Sequence, residues 1–177
     1  EEWARFYIEH TCNDLYEWLT AMGVVWDSFN HQEGNTVPRW HHAVGGGKGI
    51  WQAMYAAARA RGIDNWLLNT EAIELLMDDG RVCGLRVRDL PTGRERDLRT
   101  EAVVMASGGF MSNVEMVYEH RPDLRRHRVL GGSHVGATGR GHNIVTSAGG
   151  TLTHMEDVWM YAYATPDYRD PAGQRGL

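Results

Sequence analysis

Apolar side chains recur every three or four positions at the start of the chain, at Trp3, Phe6, Tyr7, Leu15, Trp18, Leu19 and Met22. This is the period of one helical face, and Gly23 is a natural stop, so an amphipathic helix is predicted up to that glycine. A polar loop is expected through Asn30, Glu33, Gly34, Asn35 and Pro38, followed by the run Gly45, Gly46, Gly47, Lys48, Gly49. Ile50, Trp51, Met54, Tyr55, Ala58 and Arg61 then describe a second helix, rich in alanine and closed by Gly62.

The period changes in the middle of the chain. Trp66, Leu68 and Thr70 alternate with polar neighbours, and Ile73, Leu75 and Met77 carry the alternation into Asp78, Asp79 and Gly80, a tight-turn signal. Val82, Leu85 and Val87 form the return strand, and their phase slips beside Gly84, which predicts a bulge there. Pro91, Thr92 and Gly93 turn the chain again, Leu98 and Thr100 mark a third strand, and Val103 to Ala106 is a short apolar run of the kind buried on both faces. Asn113 to His120 reads as a helix ending before Pro122, because proline disfavours helical geometry in the residue before it. A glycine-rich loop from Gly131 to Gly141 leads into another short helix ending at Gly149 and Gly150.

Composition narrows the class. The chain has 177 residues, 42% of them hydrophobic, enough for a core of ordinary domain size. A net charge of -5 argues against a surface that tracks nucleic acid, although Arg121, Arg125, Arg126, His127 and Arg128 form a local basic cluster, either a solvated face or an anion site. Two cysteines, Cys12 and Cys83, in no metal or CxxC spacing give neither a zinc site nor a disulfide framework, so no metal is expected and the default setting is a reducing cytoplasm. No apolar run approaches the roughly 20 residues that span a bilayer, so no membrane partner is expected.

Three glycine-bearing segments carry candidate chemistry. The apolar run breaks at Ala106, Ser107, Gly108 and Gly109, where glycines at a strand's carboxyl end let a ligand approach the backbone; the same turn serves packing in many α/β proteins. Gly136, Ala137, Thr138, Gly139, Arg140 and Gly141 precede a helix and suit either a simple helix start or a helix N-terminus that meets phosphate or a flavin edge. The run at 45–49 is not a P-loop, since Gly49 stands where GxxxxGK[ST] needs a hydroxyl. It fits flexible packing or close approach of backbone to a cofactor.

Taken in order, the segments WLTAMG at 18–23, the triple-glycine turn and its helix, NTEA at 69–72, VVMASGGFMSN at 103–113 and TG at 138–139 through AG at 148–149 resemble one family. It is the fumarate reductase/succinate dehydrogenase flavoprotein superfamily of FAD-dependent oxidoreductases, with its ketosteroid dehydrogenase-like and tricarballylate dehydrogenase-like members. The likeness covers most of the chain, and VVMASGGF with its following Asn113 is its most specific member.

The resemblance implies FAD as cofactor. The backbone at Ala72 matches the position that meets the adenine ring. Ala106, Ser107, Gly108 and Gly109 match a turn beside the dinucleotide, and Thr138, Gly139, Arg140 and Gly141 match a TGDG loop that approaches the cofactor; Gly46 and Gly47 join them as candidates. Arg140 replaces the usual acid, which removes a carboxylate contact and leaves a guanidinium that could serve a phosphate or an anionic substrate. Where fumarate reductases carry a histidine, this sequence has Trp159, Met160, Tyr161, Ala162, Tyr163, Ala164, Thr165 and Pro166. Such an aromatic lining fits a larger or less charged substrate, a ketosteroid-like ketone or an unusual acid; it fits a core cluster equally. His41 and His42, just before the glycine turn, lie near where related enzymes bring residues toward the flavin, but adjacent histidines lack the i, i+4 spacing of a metal site and no carboxylate partner is evident.

The expected fold is therefore α/β: a partial FAD-binding domain at 1–155, with an antiparallel β-meander over 67–106 and flanking helices, and the start of a substrate-capping domain at 156–177. The family's strand into GxGxxG does not occur in the sequence, so an internal piece of a longer chain is expected, whose missing segments would be its partners along with a small-molecule substrate. The parent would transfer hydride between FAD and a carbon-carbon bond next to a carbonyl or carboxyl group. The piece alone would be inactive, and no catalytic residue is assigned within it. A nonenzymatic interaction module on the same scaffold is the alternative.

Overall fold

The computed structural model describes residues 1–32, 34–160, 165–170 and 172–174. The chain divides into two compact units, Glu1–Leu67 and Leu68–Leu177.

The first unit opens with α1, Glu2–Thr11, which runs through a π-helical stretch, Cys12–Glu17, into α2, Trp18–Ala21. The expected amphipathic helix is thus present with a wider turn in its middle, and Gly23 ends it with φ at 97°. Only Leu19 of this stretch is buried; with Val24 and Ala43 it makes a small core against which Trp26, Ile50 and Ala53 pack. The polar loop expected after Gly23 is in part a hairpin: β1, Trp26–Asn30, pairs antiparallel with β2, Trp40–Ala43. Asp27, Ser28 and Asn30 give β1 no apolar alternation, so pairing is held by the backbone ladder and by rings around His41 rather than by a buried face. Tyr16, Trp26 and Phe29 lie 5.3, 5.8 and 4.7 Å from the His41 ring. Helix α3, Gly46–Ala60, follows at once, started by Gly45 in the left-handed region.

The second unit holds the meander. Strands β3, Thr70–Asp78, β4, Arg81–Asp89, and β5, Glu95–Arg99, form one antiparallel sheet in the order β3-β4-β5. Asp79 and Gly80 both take positive φ, 46° and 72°, as a two-residue hairpin turn with the right twist requires. The expected bulge beside Gly84 is present: the register slips between Leu76 and Met77, which face Gly84 and Val82. A Cβ on Gly84 would run into the Leu98 carbonyl of β5, which is why the residue is glycine. One charged face of the sheet is a ladder of acid–arginine–acid rungs. Arg86 lies 2.7 Å from Glu74 and 2.8 Å from Asp97, and Arg88 lies 3.5 Å from Glu71 and 2.7 Å from Glu95.

Two sequence expectations fail here. The strand begins at Thr70 rather than at Trp66, and Leu68 is 77% exposed. Residues 103–106 form no strand, and Val104 is 90% exposed rather than buried on both faces. A continuous apolar run is buried only where sheet neighbours flank it, and no strand among the described residues pairs with it.

The core of this unit lies beyond that run. Asn113 caps α4, Val114–His120, by accepting from the Met116 N–H, and Pro122 starts a 3₁₀ turn, Pro122–Arg126. Phe110, Val114, Met116, Val117, Leu124 and Val129 pack together, with Met111, Tyr118, Met155 and Val158 around them. The last helix, α5, Arg140–Ser147, packs against β3.

Candidate site at the glycine turns

Gly139 has φ 78° and ψ 5°, a conformation natural to glycine, and it starts α5 without a side-chain cap. Its N–H donates to the Gly109 carbonyl at 3.2 Å, while the Ser112 N–H donates to Ala137 at 2.9 Å and Asn113 Nδ2 donates to the Thr138 carbonyl at 3.2 Å. These bonds lay the turn at 106–109 against the loop at 136–141. The fit leaves no room for side chains: a Cβ on Gly139 would strike Met116 and Phe110, and one on Gly141 would strike Ser107. Gly108 adds a second left-handed residue, with φ at 74° and open space where a Cβ would be. The candidates Ala106, Ser107, Gly108, Gly109, Thr138, Gly139, Arg140 and Gly141 therefore belong to one assembly, in which backbone faces the surroundings at Gly108 and is packed at Gly139 and Gly141.

Ala72 joins it through α5. Together with Glu71, Ile73, Glu74, Arg88, Arg140, Asn143, Ile144 and Ser147 it lines a cleft of about 290 Å³. Among the described residues β3 is an edge strand of its sheet, so backbone N–H and C=O groups on its outer side are not used by the ladder. A cleft at the small end of the usual ligand range, walled by a strand edge and a helix start, suits one end of an extended cofactor. Gly46 and Gly47 belong to the first unit, in the opening turn of α3, where a Cβ would meet open space.

Arg140 differs from the sequence reading. Its guanidinium is paired with the Glu71 carboxylate of β3, a partner the sequence analysis did not name. Glu71 stood inside NTEA and was legible as a partner only through the oddity of a cation in the first turn of a helix. His42 also differs: it lies on β2 rather than in a loop, and its Nδ1 is 2.8 Å from Asp27 of β1, so a carboxylate partner does exist. That hydrogen bond, ahead of the imidazole's charge, holds the Asp27 carboxyl below its usual range.

The basic cluster disperses onto separate partners. Arg121 makes two bonds of 2.8 Å to Asp123, Arg125 lies 3.7 Å from Glu115 and over the Tyr118 ring, and Arg128 donates to the Gly173 carbonyl. Paired with its hydrogen-bonded carboxylate, Arg121 is raised in pKa and Asp123 lowered. His142, on α5, was not singled out by sequence; its ring stands edge-on to Phe110 at 5.6 Å, and its buried Nδ1 has no hydrogen-bond partner among the described residues. Trp159 is 79% exposed, whereas Tyr161, Ala162, Tyr163 and Ala164 of the aromatic segment lie outside the described residues.

Comparison with known proteins accords with this geometry. A family model described as an FAD binding domain matches residues 1–176. The chain is 35% identical over 149 residues to a fumarate reductase (cytochrome) of Shewanella frigidimarina, covering 82% of this chain and 25% of that protein. It is 33% identical over 157 residues to a urocanate reductase of Eggerthella lenta, covering 85% and 26%. The open conformation of a flavocytochrome c3 fumarate reductase superposes with a TM-score of 0.69 at 29% identity, over 78% of this chain and 25% of that one. The chain thus spans about a quarter of the length of the curated relatives it matches. With its meander, glycine turns and edge-strand cleft, it belongs to the FAD binding domain family of FAD-dependent oxidoreductases, and its cofactor is FAD.

Proposed function

We propose that these residues form the dinucleotide-facing part of a flavoprotein that moves a hydride between FAD and a carbon-carbon bond beside a carbonyl or carboxyl group. One observation carries the reading: β3 with Ala72 and the start of α5 line one cleft and are tied by the Arg140–Glu71 pair, while the Gly139 N–H donates to the Gly109 carbonyl and so ties the 106–109 turn to the same helix start. When bound, FAD supplies the redox chemistry; the chain's own groups bind and orient it. The outer backbone groups of β3 near Ala72 would meet the adenine end. Gly108 and Gly109 would let the backbone approach the dinucleotide, and the packed Gly139 and Gly141 would set the distance of the α5 loop from it.

On this reading residues 1–155 belong to the FAD-binding domain and 156–177 begin a capping domain. A substrate of the conjugated-acid kind, in line with relatives named as fumarate and urocanate reductases, or a ketosteroid-like ketone, would meet residues of the capping domain and of further segments of the parent, which also supply the proton donor. Two free thiols, Cys12 and Cys83, fit a reducing cytoplasm, and no helix among the described residues is long and apolar enough to cross a membrane.

The 177-residue chain alone should be inactive and take up FAD weakly. Titration with FAD followed by flavin fluorescence tests this: tight uptake, or a yellow purified chain, would overturn the weak-binding part. Anaerobic bleaching of the full-length flavoprotein by reductant, and its reoxidation by unsaturated acids or by ketosteroids, tests the reaction. Failure of both substrate classes would overturn the proposed chemistry.

A further inference from the structure

We infer that Arg140 is a positioning residue whose ion pair with Glu71 clasps the first turn of α5 to β3 and so sets the mouth of the cleft beside Ala72. The starting point is a mismatch. The N-terminal end of a helix carries partial positive charge, and α5 begins there with a cation, with glycine as its N-cap, no side-chain cap and no acid in its first turn. A cation there is unfavourable, and nothing within α5 offsets it. Glu71 removes the conflict from outside the helix: its carboxylate meets the Arg140 guanidinium and brings a negative charge to the start of α5.

The carboxylate is held in place rather than free to swing. The Glu71 side chain is only 18% exposed, and its second oxygen lies 3.5 Å from Arg88, which in turn lies 2.7 Å from Glu95. The clasp therefore extends the sheet's rung Glu71–Arg88–Glu95 by one member onto α5. Arg140 is 69% exposed, so its guanidinium reaches in from solvent at the rim. Glu71, Ala72, Arg88, Arg140 and Asn143 all line the same cleft. Tying 140 to 71 thus fixes the separation of the helix start from the strand edge.

Position 140 thereby shapes the site through the fold. The family resembled carries an acid there; in this chain the charge is reversed and answered on the neighbouring strand. Its partner is Glu71 rather than a phosphate, and it acts on a ligand through the width of the cleft. Its relevance to FAD rests on the function proposed above; the clasp itself rests on geometry alone.

The test is a double-mutant cycle on the 177-residue chain with E71Q, R140Q and E71Q/R140Q, plus R140K, read by amide hydrogen exchange along residues 70–73 and 140–143. Both side chains stand at a cleft rim outside the buried core, and circular dichroism checks the fold of each variant. Each single neutral variant should exchange faster there by about fivefold, as expected for an ion pair near the upper end of the exposed range. The double variant should be no faster than E71Q alone, and R140K should keep most of the protection. Independent, additive effects, or R140Q exchanging like the unaltered chain, would overturn the clasp. FAD titration of the same proteins separates the two ideas. Exchange decides the clasp whether or not FAD is taken up, and R140Q that loses FAD affinity with unchanged exchange would make Arg140 a ligand of the cofactor and overturn its positioning role.

Discussion

Two helices of this chain start in almost the same way and end up in different circumstances. Gly45 before α3 has φ 78° and ψ 9°, and Gly139 before α5 has φ 78° and ψ 5°; neither helix has a side-chain cap. At Gly45 an added Cβ would find only ordinary contact with Gly49, and at Gly46 nothing at all. At Gly139 it would collide with Met116 and Phe110, both in the main hydrophobic cluster. The same local backbone is thus a plain helix start in one unit and a keystone of packing in the other. Sequence cannot distinguish them, because glycine at a left-handed position looks alike whether its missing Cβ would face solvent or a sulfur atom.

The largest effect is expected for Gly139→Ala, which adds backbone strain and overpacking together and should cost about 3 kcal/mol in urea unfolding. An effect below about 1 kcal/mol would show that the loop relaxes and that Gly139 resembles Gly45 after all. Val117→Ala comes next. It removes two methyl equivalents from a residue with no exposure at the centre of the cluster, with an expected loss of about 2 kcal/mol. Gly45→Ala should cost only the left-handed strain, about 1 kcal/mol by the same assay.

Acid titration touches both units with a smaller effect, since all the groups concerned are solvent-facing. Asp97 and Asp89 of the meander are held low by Arg86 and by the Thr92 hydroxyl, and Asp27 of the hairpin by His42. A lowered folded pKa means that the unfolded chain binds more protons as pH falls below about 4, so these contributions are present above that value and lost as pH drops through the folded ones. Urea midpoints should decline in that window, and Asp97→Asn should flatten the decline for the meander while Asp27→Asn leaves it unchanged. The smallest effect is expected at Val104→Ser, within about 0.5 kcal/mol, because that side chain is almost fully exposed. A large loss there would mean that residues 103–106 are buried as the sequence had suggested.

Legibility followed the range of the interactions. The meander was read with its turn at Asp79 and Gly80 and its bulge at Gly84, because alternation, turn chemistry and phase slip are all local signals. The helix beginning at Asn113 and its stop before Pro122 were local signals as well, whereas the capping role of Asn113 shows only in the structure. The hairpin of β1 and β2 was missed because Asp27, Ser28 and Asn30 break the apolar alternation that strands usually show. Residues 103–106 misled in the opposite sense: their apolarity states a preference for burial, and burial depends on which strands lie alongside. For the site, the glycine turns were found by composition and order, whereas the partners of Arg140 and His42 are set by strands distant in the chain.

Residue order sets the local geometry, where helices start and stop and where the sheet turns, and, through the order of its motifs, the flavoprotein family and its cofactor. Which of those positions meet is set by the fold. It brought the 106–109 turn against the α5 loop, gave Arg140 its acid on β3, and separated two identical glycine starts into one that is open and one that is packed. Backbone preference is a property of neighbouring residues, while steric exclusion and charge pairing depend on distances across space that residue order does not encode.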